Sequence, residues 1–576
     1  MWSPSAVLTS KVSDAIADAF GDDLRGADPV LRPSQFADLQ SNAALPLAKR
    51  VGMAPRDVAQ RIVEHLRVDD VCAKVEISGP GFINLTLSDD WIARQVSSAA
   101  TDARHGVPQE EPQRVVIDYS APNVAKEMHV GHLRTTVVGD ALARVLEYLG
   151  HTVIRQNHIG DWGTPFGMLI EHLLDVGEGS EEARAVETDP NAFYQTARVK
   201  FDTDPSFATR SRSRVVALQA GDSETLRLWD ELVELSKHYF NAIYSRLGIT
   251  LTDADLAGES TYNHDLGRVC EELEASGIAT MSDGALCVFL EGYTGREGKP
   301  LPLIIRKSDG GYGYGTTDLA AVRHRVRTLH AERLIYVIGA PQSLHLNMVW
   351  ETARKAGWLP PDITPVHVQI GNVLGEDRKI LKTRSGAPLR LMALLDEAVA
   401  TARAAIDQDR PEVDEATRAA LAPKVGIGAV KYADLSVGHD SEYVFDLERM
   451  VALNGNTSRY LQYAAARIRS IFRGSGTGAD DVIAQVKIVE PGERALALKL
   501  LSFGEVVSEV GSELEPHRLC TYLFDLAQTF SVFYEQCPVL KAEPQLRTSR
   551  LALCALSMHA LVTGLDLLGI ESPETM

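Results

Sequence analysis

The sequence predicts an α/β core interrupted by an insertion, with a small α+β module before it and an all-α helical bundle after it. Three observations carry this. The apolar run Arg114-Val-Val-Ile-Asp118 is followed by a loop and then by Leu133, Val137, Ala141, Val145 and Leu149, which recur every four residues. That is a strand passing into an amphipathic helix. The same alternation returns at Arg333-Leu-Ile-Tyr-Val-Ile-Gly339 after a long charged stretch. Beyond about residue 405, almost every segment carries helical periodicity.

The elements follow in order. Residues 1–110 form the α+β module: helical periodicity covers Ser41 to Leu66, and Cys72-Ala-Lys-Val-Glu-Ile-Ser78 alternates like a strand. Gly79-Pro-Gly-Phe-Ile-Asn84 makes a turn before Leu85-Thr-Leu87. The polar stretch Thr101 to Gln113, with Gly106, Pro108 and Pro112, is the first linker. Residues 111–400 form the α/β core, with Gly150 at the helix C-cap and a second strand from His151. The insertion spans about 175–300. Residues 401–576 form the bundle, ending in an apolar helix from Arg550 to Leu568.

At 576 residues the chain exceeds one hydrophobic core, and about two to four domains follow. No run of about 18 uncharged apolar residues occurs, so no membrane-spanning helix is expected. The first residues lack a basic segment followed by a long apolar one, which argues against a secretory signal. Six scattered cysteines, with no C-x-x-C, suit reduced thiols in a cytosol and predict no metal site. A formal charge of −20 excludes strong nonspecific binding to polyanions but allows local basic faces.

The densest chemistry lies in Ser120-Ala-Pro-Asn-Val-Ala-Lys126-Glu-Met-His129-Val-Gly131-His132, between the first core strand and its helix. A strand–loop–helix junction is where α/β folds hold phosphates, because the helix N-terminus favours anions. His129, His132 and Lys126 add hydrogen-bond donors for phosphoryl oxygens. Gly131 lets a flat ring or a phosphate approach the backbone.

This stretch, with its H-V-G-H form of the "HIGH" element, resembles the signature of the class I arginyl-tRNA synthetases. Asn157-His-Ile-Gly-Asp-Trp-Gly-Thr-Pro-Phe-Gly167, Leu374-Gly-Glu-Asp377 and Lys382-Thr-Arg-Ser-Gly386 resemble further blocks of that family. So do Gly79 to Asn84, Arg459-Tyr-Leu-Gln-Tyr-Ala-Ala-Ala-Arg-Ile468 and Leu567-Leu-Gly-Ile-Glu-Ser-Pro573. The resemblance implies a Rossmann-type catalytic domain with an insertion, an N-terminal tRNA-binding module and a helical anticodon-binding domain. It implies ATP-dependent ligation of L-arginine to tRNA(Arg) through an arginyl adenylate, with Mg²⁺ accompanying ATP and arginine activation requiring bound tRNA. A cytoplasmic monomer without membrane contact is expected.

The resemblance also assigns residues. His129, Gly131, His132, Val373 and Leu374 hold ATP. Lys126, His129, His132, Lys382 and Arg384 act in catalysis. Asp118, Asn123, His132, Tyr314, Asp318 and Gln342 bind arginine, and Asn456, Arg459, Tyr460, Tyr463 and Arg467 bind tRNA. One departure stands out: the family's K-M-S-K-S loop has Ile380 at its first lysine and Thr383 at its second. The arrangement resembles the subset of arginyl enzymes in which a lysine just before the histidines substitutes, here Lys126. A guanidinium pocket needs acceptors placed for a planar fork of five donors. Tyr314 and Asp318, spaced i and i+4, meet that need on one helical face. A tRNA-free ligase on the same fold is the rival reading, against which the two flanking modules speak.

Overall fold

The computed structural model describes residues 3–124, 126–188, 190–295, 298–381, 389–483 and 485–576, with backbone alone at 185–188. The chain opens with α1 (Pro4–Phe20), whose N-cap Ser3 accepts from the Ala6 amide at 3.4 Å ahead of a first-turn proline. Then come β1 (Leu31–Pro33), β2 (Leu39–Ser41), α2 (Ala44–Val51), α3 (Pro55–His65), β3 (Cys72–Ser78), β4 (Phe82–Leu87) and α4 (Asp89–Thr101). The strands pair antiparallel in the order β1-β2-β4-β3. The helical stretch expected over Ser41–Leu66 is two helices, because Gly52 takes the left-handed C-cap conformation at φ +68°.

The core begins with β5 (Arg114–Asp118), α5 (Val130–Leu149) and β6 (Thr152–Gln156). The chain then leaves the sheet through α6 (Thr164–Val176), α7 (Glu181–Thr188), α8 (Pro190–Thr203), α9 (Pro205–Ala220), α10 (Ser223–Leu247) and α11 (Asn263–Ala275). An antiparallel sheet of β7 (Ala279–Ser282), β8 (Ala285–Thr294) and β9 (Pro300–Arg306) follows. The chain returns by α12 (Tyr314–Arg327) to β10 (Arg333–Gly339), α13 (Ser343–Lys355) and β11 (Pro365–Ile370).

The parallel sheet runs β11-β10-β5-β6. Strand β5 is buried on both faces, as parallel strands are. Val115 and Ile117 join the core containing α5, whereas Val116 joins the core containing α12 and α13. Connections leaving β5 and β10 therefore diverge, and the crevice between them is where such sheets bind ligands.

Beyond it lie β12 (Val373–Leu374), α14 (Leu391–Asp409), α15 (Glu415–Leu435) and β13 (Tyr443–Val444), which pairs parallel with β12. The chain ends with α16 (Leu447–Met450), α17 (Ser458–Ser475), α18 (Pro491–Leu501), α19 (Phe503–Glu513), α20 (His517–Gln536) and α21 (Pro544–Leu567). Helix α21 is long and apolar enough to cross a bilayer by length and composition, but 72% of its most apolar window is buried inside the protein. Its apolar surface is used by the bundle core. Arg494 of α18 clamps Asp38 at 2.8 and 2.7 Å and Asp89 at 2.7 Å, docking the N-terminal module onto the bundle.

Candidate active site

The N-terminus of α5 is capped by its own histidines. His129 Nδ1 accepts from the Gly131 amide at 3.0 Å, and His132 Nδ1 accepts from the His129 amide at 3.2 Å. Since each Nδ1 is an acceptor, each Nε2 carries the hydrogen of a neutral ring. Capping thus uses only Nδ1 of each ring, so Nε2–H of each can donate to another acceptor. The rings lie 4.1 Å apart between centroids. Burial lowers the pKa of both rings, with the Lys126 charge adding to it, and takes His132 down to about 3. Both are uncharged donors at neutral pH. A Cβ on Gly131 would sit 2.7 Å from His129 Cε1, so glycine is what lets the ring fold back over the helix start.

These rings line a cavity of about 440 Å³ together with Ser120, Gly339, Gly371 and Val373. That volume suits a nucleotide-sized ligand. Leu374, expected beside Val373, does not line it: strand alternation turns the next side chain to the other face, and Leu374 pairs with Val444 and bridges to Ile380.

A second cavity of about 850 Å³ opens next to the first. The two share Ala121, Ile338, Pro341 and Gln342, so they meet at the turn after β10. Asn123, Tyr314, Asp318 and Gln342 all line the second cavity, and His132 lines only the first. Asp318 receives His345 Nε2 at 2.5 Å and faces His158 Nε2 at 3.5 Å. Burial alone would raise its pKa, but the two imidazoles hold this carboxyl well below the usual range.

Asp118 also lines this cavity, but its charge is already matched. Its Oδ2 accepts from the buried Arg325 guanidinium at 2.7 Å, and its Oδ1 has no hydrogen-bond partner among the described residues, so this expected arginine-binding position is a buried pair in the cavity wall. Glu259 is a carboxylate that sequence reasoning missed. It lines the same cavity, and burial pushes it up to about 7. Its segment, Gly258-Glu-Ser-Thr-Tyr262, lies inside the charged insertion with no spacing to mark it.

Lys126 is not brought to either cavity. Its ammonium sits 4.3 Å from the Tyr194 ring centroid on α8, a cation–π contact. The neighbouring loop is tied to the same helix: the Glu127 amide donates to Asn191 Oδ1 at 3.2 Å, and Asn191 Nδ2 donates to Glu127 Oε2 at 2.7 Å. Lys382, Thr383 and Arg384 lie outside the described residues.

Among the tRNA candidates, Tyr463 and Arg467 are exposed on α17, with Arg467 4.7 Å from the Tyr534 ring centroid. Asn456 is exposed and accepts from Tyr432 at 2.6 Å, while Tyr460 packs edge-on against Phe524. Arg459 is different. It is buried, paired with Asp409 at 2.9 Å and bonded to the Val451 carbonyl at 3.1 Å, so its expected RNA contact is corrected to an internal one. Each four-residue step turns about 40° around a helix, which carries Arg459 inward while Arg467 stays out.

Comparisons with known proteins agree with this geometry. Residues 95–447 match the family model "tRNA synthetases class I (R), catalytic domain". Residues 461–576 match "DALR anticodon binding domain", and residues 6–87 match "Arginyl tRNA synthetase N terminal domain". An arginine–tRNA ligase of Thermobifida fusca is 69% identical, with 100% of each chain covered. The structure resembles the arginyl-tRNA synthetase of Plasmodium falciparum at 28% identity and a TM-score of 0.84, covering 99% of each chain. It resembles that of Thermus thermophilus at 25% identity and a TM-score of 0.81, covering 100% of each chain. The chain belongs to the class I arginyl-tRNA synthetases.

Proposed function

We propose that the two joined cavities carry out the two halves of one reaction, the ligation of L-arginine to tRNA(Arg) at the expense of ATP. The single observation that supports this most is the junction at Gln342: a cavity with phosphate donors opens into one with carboxylates. The protein is an arginine–tRNA ligase that uses ATP. An oxygen of the arginine carboxylate attacks the α-phosphorus, the bond to the β-phosphate bridge breaks, and pyrophosphate leaves with the electron pair. A ribose hydroxyl oxygen at the tRNA 3′ end then attacks the adenylate carbonyl, and the bond between that carbonyl and the phosphate oxygen breaks. AMP leaves with the electron pair, and the hydroxyl proton passes to the leaving phosphate or to water.

Each side chain has a task in this scheme. The Nε2–H groups of His129 and His132 donate to phosphate oxygens as charge builds in the transition state, an effect that typically contributes about 3 kcal/mol per donor. Gly131 and Val373 flank the nucleotide. Asp318 and Glu259 accept from the guanidinium, and Tyr314 lies over it. Asn123 and Gln342 hold the amino and carboxylate end near the junction. Lys126 leaves Tyr194 and reaches the triphosphate, assisted by Lys382 and Arg384. Mg²⁺ enters with ATP as part of the substrate; among the described residues no cluster of three or more His, Cys, Asp or Glu side chains is placed to hold a metal.

Asn456, Tyr460, Tyr463 and Arg467 meet the anticodon arm, and residues 1–110 meet another part of the tRNA. The protein works in the cytoplasm as a monomer without membrane contact. Binding of tRNA precedes arginine activation if it orders the catalytic loop. ATP–pyrophosphate exchange with arginine, with and without tRNA(Arg), tests the reading: exchange that depends on both supports it. Robust exchange with another amino acid and indifference to tRNA would overturn it.

A further inference from the structure

The cavity that would take a guanidinium already contains candidate cations. His158, on the loop after β6, places Nδ1 2.8 Å from the Ala257 carbonyl oxygen. A carbonyl only accepts, so Nδ1 carries a hydrogen. Nε2 faces Asp318 Oδ1 at 3.5 Å. With Nδ1–H fixed by Ala257, the second nitrogen can donate to that carboxylate only if the ring is an imidazolium. A bare Nε2 lone pair against a carboxylate is repulsive.

We infer that L-arginine entering this cavity displaces the Nε2 proton of His158, and that the bare nitrogen then accepts a guanidinium N–H. The inference rests on the assignment of this cavity to the arginine side chain. The imidazolium N–H bond breaks, its proton goes to solvent, and the electron pair stays on Nε2. Nothing else is broken or formed except hydrogen bonds. The exchange turns a competing cation into an acceptor. Asp318, Glu259 and His158 then offer acceptors to a ligand with five donors, more than a lysine ammonium could use.

Charged and titratable groups surround His158 on every side; the carboxylates hold its proton, while Arg325 and an arriving guanidinium favour its release. Asp318 and Arg325 face it from α12, Asp118 from β5 and Asp161 from its own loop, and His345 of α13 holds the other oxygen of Asp318. Glu259 and the Tyr262 ring, 5.9 Å between centroids, face it from the 3₁₀ turn Glu259–Tyr262. Burial alone would lower the pKa of His158, but Asp318 and Asp118 push it up to about 9. A guanidinium, which stays charged throughout, removes that advantage when it pairs with Asp318. Arginine affinity therefore rises with pH up to about 9, by at most about tenfold per unit.

The experiment is calorimetric titration of L-arginine into the full-length protein, with and without tRNA(Arg), at about pH 7.5 in two buffers of different ionisation enthalpy. About one proton released per arginine bound is expected for the wild type, about none for His158→Gln, and undiminished release for His345→Gln. Wild-type binding without proton release overturns the inference whatever the fold of either variant. Release that persists in His158→Gln overturns the assignment to His158: it then comes from His345 if it is lost in His345→Gln, and from Glu259 if it is lost in Glu259→Gln. Absence of arginine binding under all conditions overturns the pocket assignment itself, which is a distinct outcome.

Discussion

Arg134 and Asp434 form a buried ion pair, Nε to Oδ1 at 2.5 Å, that joins helix α5 to helix α15. Arg134 also donates to the carbonyls of Ser441 at 2.6 Å and Gly438 at 3.3 Å. It lies two residues after His132 and lines the same cavity of about 440 Å³. The Gly438–Ser441 loop it holds in turn abuts the end of β11: a Cβ on Gly371 would be 2.7 Å from the Ser441 oxygen. One buried pair thus fixes two walls of the cavity at the start of α5 against the helical part of the chain.

Removing one partner should be costly. Asp434→Ala leaves a buried guanidinium without its counter-charge, and a loss of about 3–5 kcal/mol is expected. Urea unfolding monitored by circular dichroism measures it. A loss below about 1 kcal/mol would show that the pair holds nothing together.

The carboxylates of the larger cavity should act on arginine rather than on ATP. Asp318→Asn and Glu259→Gln are each expected to raise the KM for arginine by about 10- to 100-fold, the scale of a charge-assisted hydrogen bond of about 1.5–3 kcal/mol. The KM for ATP should stay within about twofold, because a change in an interaction specific to one substrate leaves the other's binding alone. Steady-state pyrophosphate exchange separates the two constants, and equal effects on both would place these residues elsewhere in the mechanism.

Lys126 tests the replacement of the loop lysine. Lys126→Ala is expected to lower kcat by about 10²- to 10³-fold with little change in arginine KM, as for loss of a transition-state donor. Single-turnover adenylate formation reads this directly. Nearly intact activity would mean that the ammonium on Tyr194 is a resting surface contact.

The acid limb of stability should carry the mark of His132. Its folded pKa is about 3 against an ordinary value of 6.5. Between those values the unfolded chain binds more protons, so this group's contribution is complete above about pH 6.5 and is lost as pH falls towards 3. Urea midpoints between about pH 7 and pH 4 should therefore fall less steeply for His132→Gln than for the wild type. Parallel slopes would contradict a buried, neutral His132.

What could be read from the sequence was local. Helix α5 was legible because Leu133, Val137 and Ala141 mark its buried stripe. The histidines were legible because their spacing sits at a strand–helix junction. Tyr314 and Asp318 were legible because one helical turn brings them together, and both line one cavity.

The rest depends on contacts between distant residues. Asp118 is separated from Arg325 by 207 positions, and no spacing announces that its charge is already matched. Glu259 lies in a stretch where acidic residues are common and becomes distinctive only through burial. Arg459 shares its helix with Tyr463 and Arg467, but helix rotation and Asp409 on α14 take it inward. The place where Lys126 rests is set by Tyr194, a residue of the insertion.

The most direct test of the central claim is charging of tRNA(Arg) with labelled L-arginine by the purified full-length protein, compared with the His132→Ala variant. Arginyl-tRNA formation that needs ATP and falls by about 10²-fold or more in the variant is the predicted result. Charging at wild-type rates by the variant, or no charging by the wild type with any tRNA(Arg), would contradict the account.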